Sequence, residues 1–214
     1  MRVNKIGILL LIMALGACAR SGRIDITSGV GINVTRSGCP AVAVVDNTGD
    51  VTLFDPQNST AASAIDVVAN MTNLRTTCNS EGEKIYSEAT FEVRAIRSRP
   101  NGARSVTLPY FSTVVQGGTA VVAKRLGSVT LNFADGEYRA SATAKAGAYV
   151  DAAAARLPED VVKKITARRK PGDADAALDP LSDPDVRAAV ARSTFEQLLG
   201  FQLTAAQLQY NATR

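Results

Sequence analysis

From residue 22 to about residue 146 apolar and polar side chains alternate with a period of two, and this constrains the fold more than any other feature. Val30, Ile32 and Val34 alternate with Gly31, Asn33 and Thr35. Ala89, Phe91, Val93 and Ala95 alternate with Thr90, Glu92 and Arg94, and Tyr138, Ala140, Ala142 and Ala144 with Arg139, Ser141, Thr143 and Lys145. One apolar and one polar face is what a half-buried strand requires. The runs are separated by turn chemistry. Asp46-Asn47-Thr48-Gly49-Asp50 divides Val42–Val45 from Val51–Phe54, and Pro100-Asn101-Gly102 follows the run ending near Arg97. Gln116-Gly117-Gly118 lies between Tyr110–Val115 and Thr119–Lys124, and glycine supplies the positive φ of a tight hairpin. Leu126-Gly127-Ser128 then leads into Val129–Phe133. No helical period intervenes. Eight or nine short strands joined by turns read as a sandwich or barrel.

One corner narrows the choice. Leu131-Asn132-Phe133-Ala134-Asp135-Gly136-Glu137-Tyr138 ends one strand, turns, and opens the next with tyrosine. It resembles the corner of immunoglobulin-like domains, where a tyrosine hydroxyl bonds back to upstream backbone. The resemblance implies a mainly β fold: an immunoglobulin-like antiparallel β-sandwich over residues 18–146, followed by a C-terminal helical segment. The family's core tryptophan is missing. A plain Asp-Gly hairpin with an interfacial tyrosine fits the same residues, and a sandwich follows from both.

Composition removes whole classes of chemistry. The chain has no His, so the usual serine and cysteine triads, His-ligated metals and His proton relays are excluded. The carboxylates are scattered, with none placed as an acid–base pair, and there is no phosphate-binding glycine loop. The expectation is a non-enzyme with no catalytic residues, metal or cofactor.

The N-terminus carries an address. In MRVNKIGILLLIMALGAC, Arg2 and Lys5 precede a charge-free run from Ile6 to Ala17. That run is too short for a bilayer helix of about 20 residues, and fits the apolar section of a secretory signal. Leu15-Gly16-Ala17-Cys18 resembles the lipobox of bacterial lipoproteins. The resemblance implies a signal peptide over residues 1–17 and acylation (palmitate and related chains) at Cys18. Two or more acyl chains would anchor the protein stably. Ala19-Arg20 follows Cys18, where an Asp would commonly signal inner-membrane retention. The implied location is therefore the outer membrane, lipid-anchored and facing the periplasm. Cleavage would leave 22 basic and 20 acidic side chains, since Arg2 and Lys5 are lost from the totals of 24 and 20. That balance gives no global field for nucleic acid. With Cys18 acylated, Cys39 and Cys78 form an even pair in an oxidising compartment, which predicts one disulfide.

After Gly147 the pattern changes. Residues 147–172 read as a helical segment: Ala148–Arg156 is alanine-rich, and Glu159-Asp160 precede Lys163, Lys164, Arg168, Arg169 and Lys170, matching the helix dipole. These five cations are also a candidate contact for an anionic lipid surface, although a solvated helix end accounts for them. Residues 173–183 form an Asp/Ala/Pro linker, and residues 184–214 are expected to hold C-terminal helices. The first of these places Ala188, Ala191, Phe195, Leu198 and Leu199 on one face, which reads as packing against the sandwich or a neighbouring helix, with Phe195, Leu198 and Leu199 as a candidate docking surface in the alternative. Thr204-Ala205-Ala206-Gln207 matches a capping box for a last helix.

These readings lead to one expectation and one alternative. The first is a membrane-anchored scaffold or accessory assembly module of the bacterial outer envelope with an envelope-protein partner, a step taken by analogy of fold. The alternative is a lipoprotein that binds a small lipid or glycan or assists its transport.

Overall fold

The computed structural model describes residues 38–167 and 178–213. Eight strands form two four-stranded sheets. The strands are β1 (Ala41–Val44), β2 (Asp50–Phe54), β3 (Ile65–Asn79), β4 (Lys84–Arg97), β5 (Arg104–Gln116), β6 (Ala120–Phe133), β7 (Arg139–Asp151) and β8 (Phe195–Phe201). The first sheet runs β1-β8-β5-β6 and the second β2-β3-β4-β7. Three α-helices, α1 (Glu159–Thr166), α2 (Pro184–Arg192) and α3 (Ala205–Thr213), and two single-turn 3-10 helices, Ala62–Ala64 and Pro180–Ser182, complete the described residues.

The fold is mainly β and sandwich-like, as the alternation requires. Ala89, Phe91, Val93 and Ala95 on β4 are all buried, while Thr90, Glu92 and Arg94 face outward. They meet Val106, Leu108, Val129, Leu131 and Phe133 of the opposite sheet in one core. β4 pairs with β3 and β7 along most of its length, so it is central to the second sheet. Fully burying each of Phe91, Phe133 and Phe201 contributes about 1.5–3 kcal/mol. The expected Cys39–Cys78 disulfide is present, closing a sequence separation of 39 residues.

The structure corrects several expectations. The Leu126-Gly127-Ser128 break does not occur, because β6 runs through it from Ala120 to Phe133. Gly127 is directly opposite Tyr110, and a Cβ there would lie 2.5 Å from the Tyr110 ring. The glycine admits an aromatic side chain from the neighbouring strand and makes no turn. The helix expected over Ala148–Arg156 is also absent. Ala148 and Val150 continue β7 as buried alternate residues paired with β4, and the turn after Asp151 is fixed by its carboxylate accepting from the Ala153 and Ala154 N–H groups. Pairing and burial here outweigh alanine's helix propensity.

The largest correction is in the tail. Phe195, Leu198 and Leu199 lie on strand β8, seated between β1 and β5. Phe195 and Leu199 are buried, so they form no open docking face, and Ala188 on α2 is exposed. The face that α2 buries is Val186 and Ala189, packed with Val161 of α1. The sandwich is not purely antiparallel, because β1 pairs parallel to β8. The residues after the linker therefore contribute a strand to the body as well as helices.

Helix starts follow the local code. Asp183 caps α2, its carboxylate accepting from the Asp185 and Val186 N–H groups. Thr204 and Gln207 form the reciprocal capping box of α3, with Gln207 N–H donating to Thr204 Oγ1 and Thr204 N–H to Gln207 Oε1. The tyrosine corner is replaced by an arginine. Tyr138 is 52% exposed, whereas Arg97 is buried and donates to the carbonyls of Glu137, Gly102, Pro100 and Ala134. The strand expected at Val30–Thr35, the leader with Cys18, and linker residues 173–177 lie outside the described residues.

Candidate functional site

Two regions combine exposure with specific chemistry: the side of the sandwich between β6 and β7, and a pocket at one end under α3.

β6 ends the first sheet and β7 ends the second, so each offers one edge that no described strand pairs. Over Ala120–Leu126 β6 is exposed on both faces, with Val121 at 63%, Val122 at 51% and Leu126 at 68%. An edge of this kind presents unpaired N–H and C=O groups in a row, a template for another strand. Lys124 and Arg125 interrupt the apolar run, and such charges discourage indiscriminate edge pairing. By alternation with buried Val129 and Leu131, Arg125 lies on the side facing the second sheet, while Lys124 and Leu126 lie on the outer face. Lys124 Nζ sits 5.5 Å from the centroid of the Phe111 ring.

Between the two edges is a cleft of about 310 Å³, lined by Tyr86, Arg125, Leu126, Lys145 and Tyr149 among others. Tyr86 and Tyr149 pack with ring centroids 4.8 Å apart. Lys145 pairs with Glu88 at 2.9 Å, which raises the ammonium pKa and lowers the carboxyl's. Tyr86 donates to the same carboxylate at 3.3 Å, and burial, followed by the Glu88 charge, pushes its phenol upward. The floor is fixed from the core. Tyr110 donates its hydroxyl to Lys145 O at 2.7 Å. Gln197, fully buried, donates to Ala146 O and Ser112 Oγ and accepts from Ser87 Oγ. These bonds tie the first sheet to β4 and β7, so the edges are held at a set spacing.

The end pocket has a volume of about 390 Å³ and lies between β2, α3 and the starts of β3 and β5. Phe54 and Tyr210 meet edge to face, 5.1 Å between centroids. At its base Arg104 grips Asp66 with two hydrogen bonds of 2.9 and 2.7 Å. Asp66 is 5% exposed, and the Arg104 bond outweighs burial to hold its carboxyl below the usual range, assisted by the Arg104, Arg99 and Arg97 charges. α3 is pinned over this end by Asn211, which donates to Asn47 O and Asp50 O.

The residues singled out in sequence fall elsewhere. Cys39 and Cys78 are joined at the opposite end of β3. Lys163 and Lys164 lie on α1, the latter 3.4 Å from Asp183, while Arg168, Arg169 and Lys170 lie outside the described residues, as does Cys18. Phe195 and Leu199 are core residues. The open edge had a sequence signal: Ala120-Val121-Val122-Ala123 follows a Gly-Gly turn without period-two alternation and is then broken by Lys124-Arg125. Nothing local marks Asp66, Arg104 and Tyr210 as neighbours. Among the described residues no group of three His, Cys, Asp or Glu could hold a metal, and no helix is long and apolar enough to cross a membrane.

No protein-family model matches the chain, and no curated protein matches it. Among solved structures, a DUF1425 family member from Shewanella sp. pv-4 aligns at 16% identity, covering 51% of this chain and 94% of that one, with a TM-score of 0.24. At that score the likeness carries no argument about fold or function.

Proposed function

We propose that this chain is a lipid-anchored, periplasm-facing lipoprotein of the outer membrane, whose sandwich serves as a non-enzymatic interaction module in envelope assembly. The observation that carries the interaction reading is the edge of β6, solvent-exposed on both faces over Ala120–Leu126 and held open beside the cleft. A partner in extended conformation adds there as a further strand, gaining main-chain hydrogen bonds from the edge and side-chain contacts with Val121, Val122 and Leu126. Lys124 and Arg125 select against a second copy, because antiparallel self-pairing about them brings four cations together. The anchoring reading is supported by the lipobox at Cys18 and by the Cys39–Cys78 bond, which suits an exported protein. The immunoglobulin-like assignment belongs to the same proposal; its support is two face-packed four-stranded sheets between which the chain crosses at β1–β2, β4–β5, β6–β7 and β7–β8.

The test is photo-crosslinking in intact cells from the full chain, with the reactive residue at Val122 and, as a control, at Asp151. Membranes are then separated and the Cys18 peptide is weighed by mass spectrometry. One protein recurring from Val122 alone, lost in Val122→Pro, together with an acylated Cys18 peptide in the outer-membrane fraction, is the expected result. An unacylated soluble protein overturns the anchoring; no crosslink specific to Val122 overturns the edge as the docking site.

A further inference from the structure

We infer that the pocket between β2 and α3 is a site for a neutral saccharide. Its volume of about 390 Å³ lies within the range of roughly 300–1,000 Å³ found for small-molecule sites. Its lining sets the class of ligand. Phe54 and Tyr210 are half-buried and supply the aromatic surface on which the C–H face of a pyranose packs. Around them stand Thr60, Gln57, Gln207 and Arg104, side chains suited to vicinal hydroxyls. Gln207 spends its carbonyl oxygen on the capping box, which leaves its NH₂ as a donor. Arg104 uses two N–H groups on Asp66 and has three more, and its side chain is 45% exposed.

Charge and polarity exclude the other small-ligand classes. Asp66 is gripped by Arg104, and Arg99 is shared between Asp66 and Asp55, so the charges of these two arginines are already matched by carboxylates and offer no open seat for an anion. An acyl chain would cover hydroxyl, amide and charged groups without hydrogen-bonding them, and each such burial costs about 1–3 kcal/mol. A polyhydroxylated ring satisfies both demands. Asp66 and Cys78 stand near opposite ends of β3, roughly 40 Å apart along the strand, so the pocket lies at the end of the sandwich remote from the disulfide. This inference is independent of the edge-docking proposal and stands if that fails.

Saturation-transfer NMR tests it, using the full chain in a sugar-free zwitterionic detergent with tri-N-acetylglucosamine and maltotriose as probes. The expected result is transfer to at least one of the two sugars. That transfer falls at least tenfold in Tyr210→Ala, falls in Gln57→Ala on the exposed loop, and is unchanged in Tyr149→Ala at the lateral cleft. Gln57→Ala keeps the test valid if Tyr210→Ala unseats α3. Absence of transfer to both sugars overturns the proposal. Transfer undiminished by both pocket substitutions places any sugar elsewhere and also overturns it. Displacement of the sugar by decanoate assigns the pocket to lipid.

Discussion

Replacing Arg97 by Met tests whether a single buried side chain organises the end of the sandwich that carries the saccharide pocket. Arg97 is the last residue of β4 and is 2% exposed. Its guanidinium donates to Glu137 O, Gly102 O and Ala134 O at 2.8 Å and to Pro100 O at 2.5 Å, joining the β4–β5 and β6–β7 loops. Its Cζ lies 5.2 Å from the Phe133 ring centroid. Methionine fills similar volume but donates nothing. Two of the four carbonyls keep a backbone donor, since Pro100 O also accepts from Gly136 N–H and Ala134 O from Glu137 N–H. The other two belong to exposed loop residues that water reaches. The loss is therefore well below the sum of four charge-assisted bonds, and relief of arginine desolvation reduces it further. We expect about 3 kcal/mol, including about 1 for the cation–π contact. For a chain of this size that lowers Tm by roughly 6–12 °C. Arg97→Lys should lose nearly as much, because a point ammonium cannot reach four carbonyls in a planar fan. Circular-dichroism melts of both variants, with the exposed Arg94→Met as control, read the effect. An Arg97→Met protein melting within about 2 °C of the parent would refute the reasoning.

Three other perturbations follow from the same structure. Reducing Cys39–Cys78, or replacing both by Ser, should cost about 4 kcal/mol for a loop of this length, read as a lower Tm with and without reductant. Gln197→Ala strands Ser87, Ser112 and Ala146 O in the core and should destabilise by about 2–3 kcal/mol, while Gln197→Leu with Ser87→Ala and Ser112→Ala should recover much of that in urea melts. Asp66 has a folded pKa below its unfolded value, so its contribution is complete above the unfolded carboxyl range near pH 4 and disappears as pH falls through the folded pKa. Arg104→Met should shrink the stability lost on acidification over that window; an unchanged acid limb in urea titrations from pH 5 to 2 would count against the pair.

How much of this was legible beforehand varies with how local the cause is. Period-two alternation identified the strand over Ala89–Ala95 and its buried face, because a pleated strand sends successive side chains to opposite sides regardless of what lies across the core. The Thr204–Gln207 box is a pair of short-range hydrogen bonds, which a local sequence pattern specifies. The disulfide followed from an even pair of cysteines. The errors share one cause. Gly127 reads as a turn until Tyr110 is known to lie opposite it. Ala148–Val150 and Phe195–Leu199 have compositions that a helix accepts, and only pairing with β4, and with β1 and β5, makes them strands. The expected site residues divide the same way: Phe195, Leu198 and Leu199 share a face only on a helix, and on strand β8 Phe195 and Leu199 turn to the core while Leu198, half-buried, lies on the other side.

What the sequence determined by itself is the set of properties carried within a few residues: the strand alternation over Ala89–Ala95, the Asp46–Asp50 and Gln116–Gly118 turns, the Thr204–Gln207 cap, and the absence of histidine chemistry. Tertiary structure decided which strands end their sheets, and hence that Ala120–Leu126 is open while Leu199 is enclosed. It also decided that Asp66, Arg104 and Tyr210, drawn from three distant parts of the chain, line one pocket. Strand order and pocket composition depend on which distant segments meet, and that is set by the joint packing of both sheets, which no local pattern encodes.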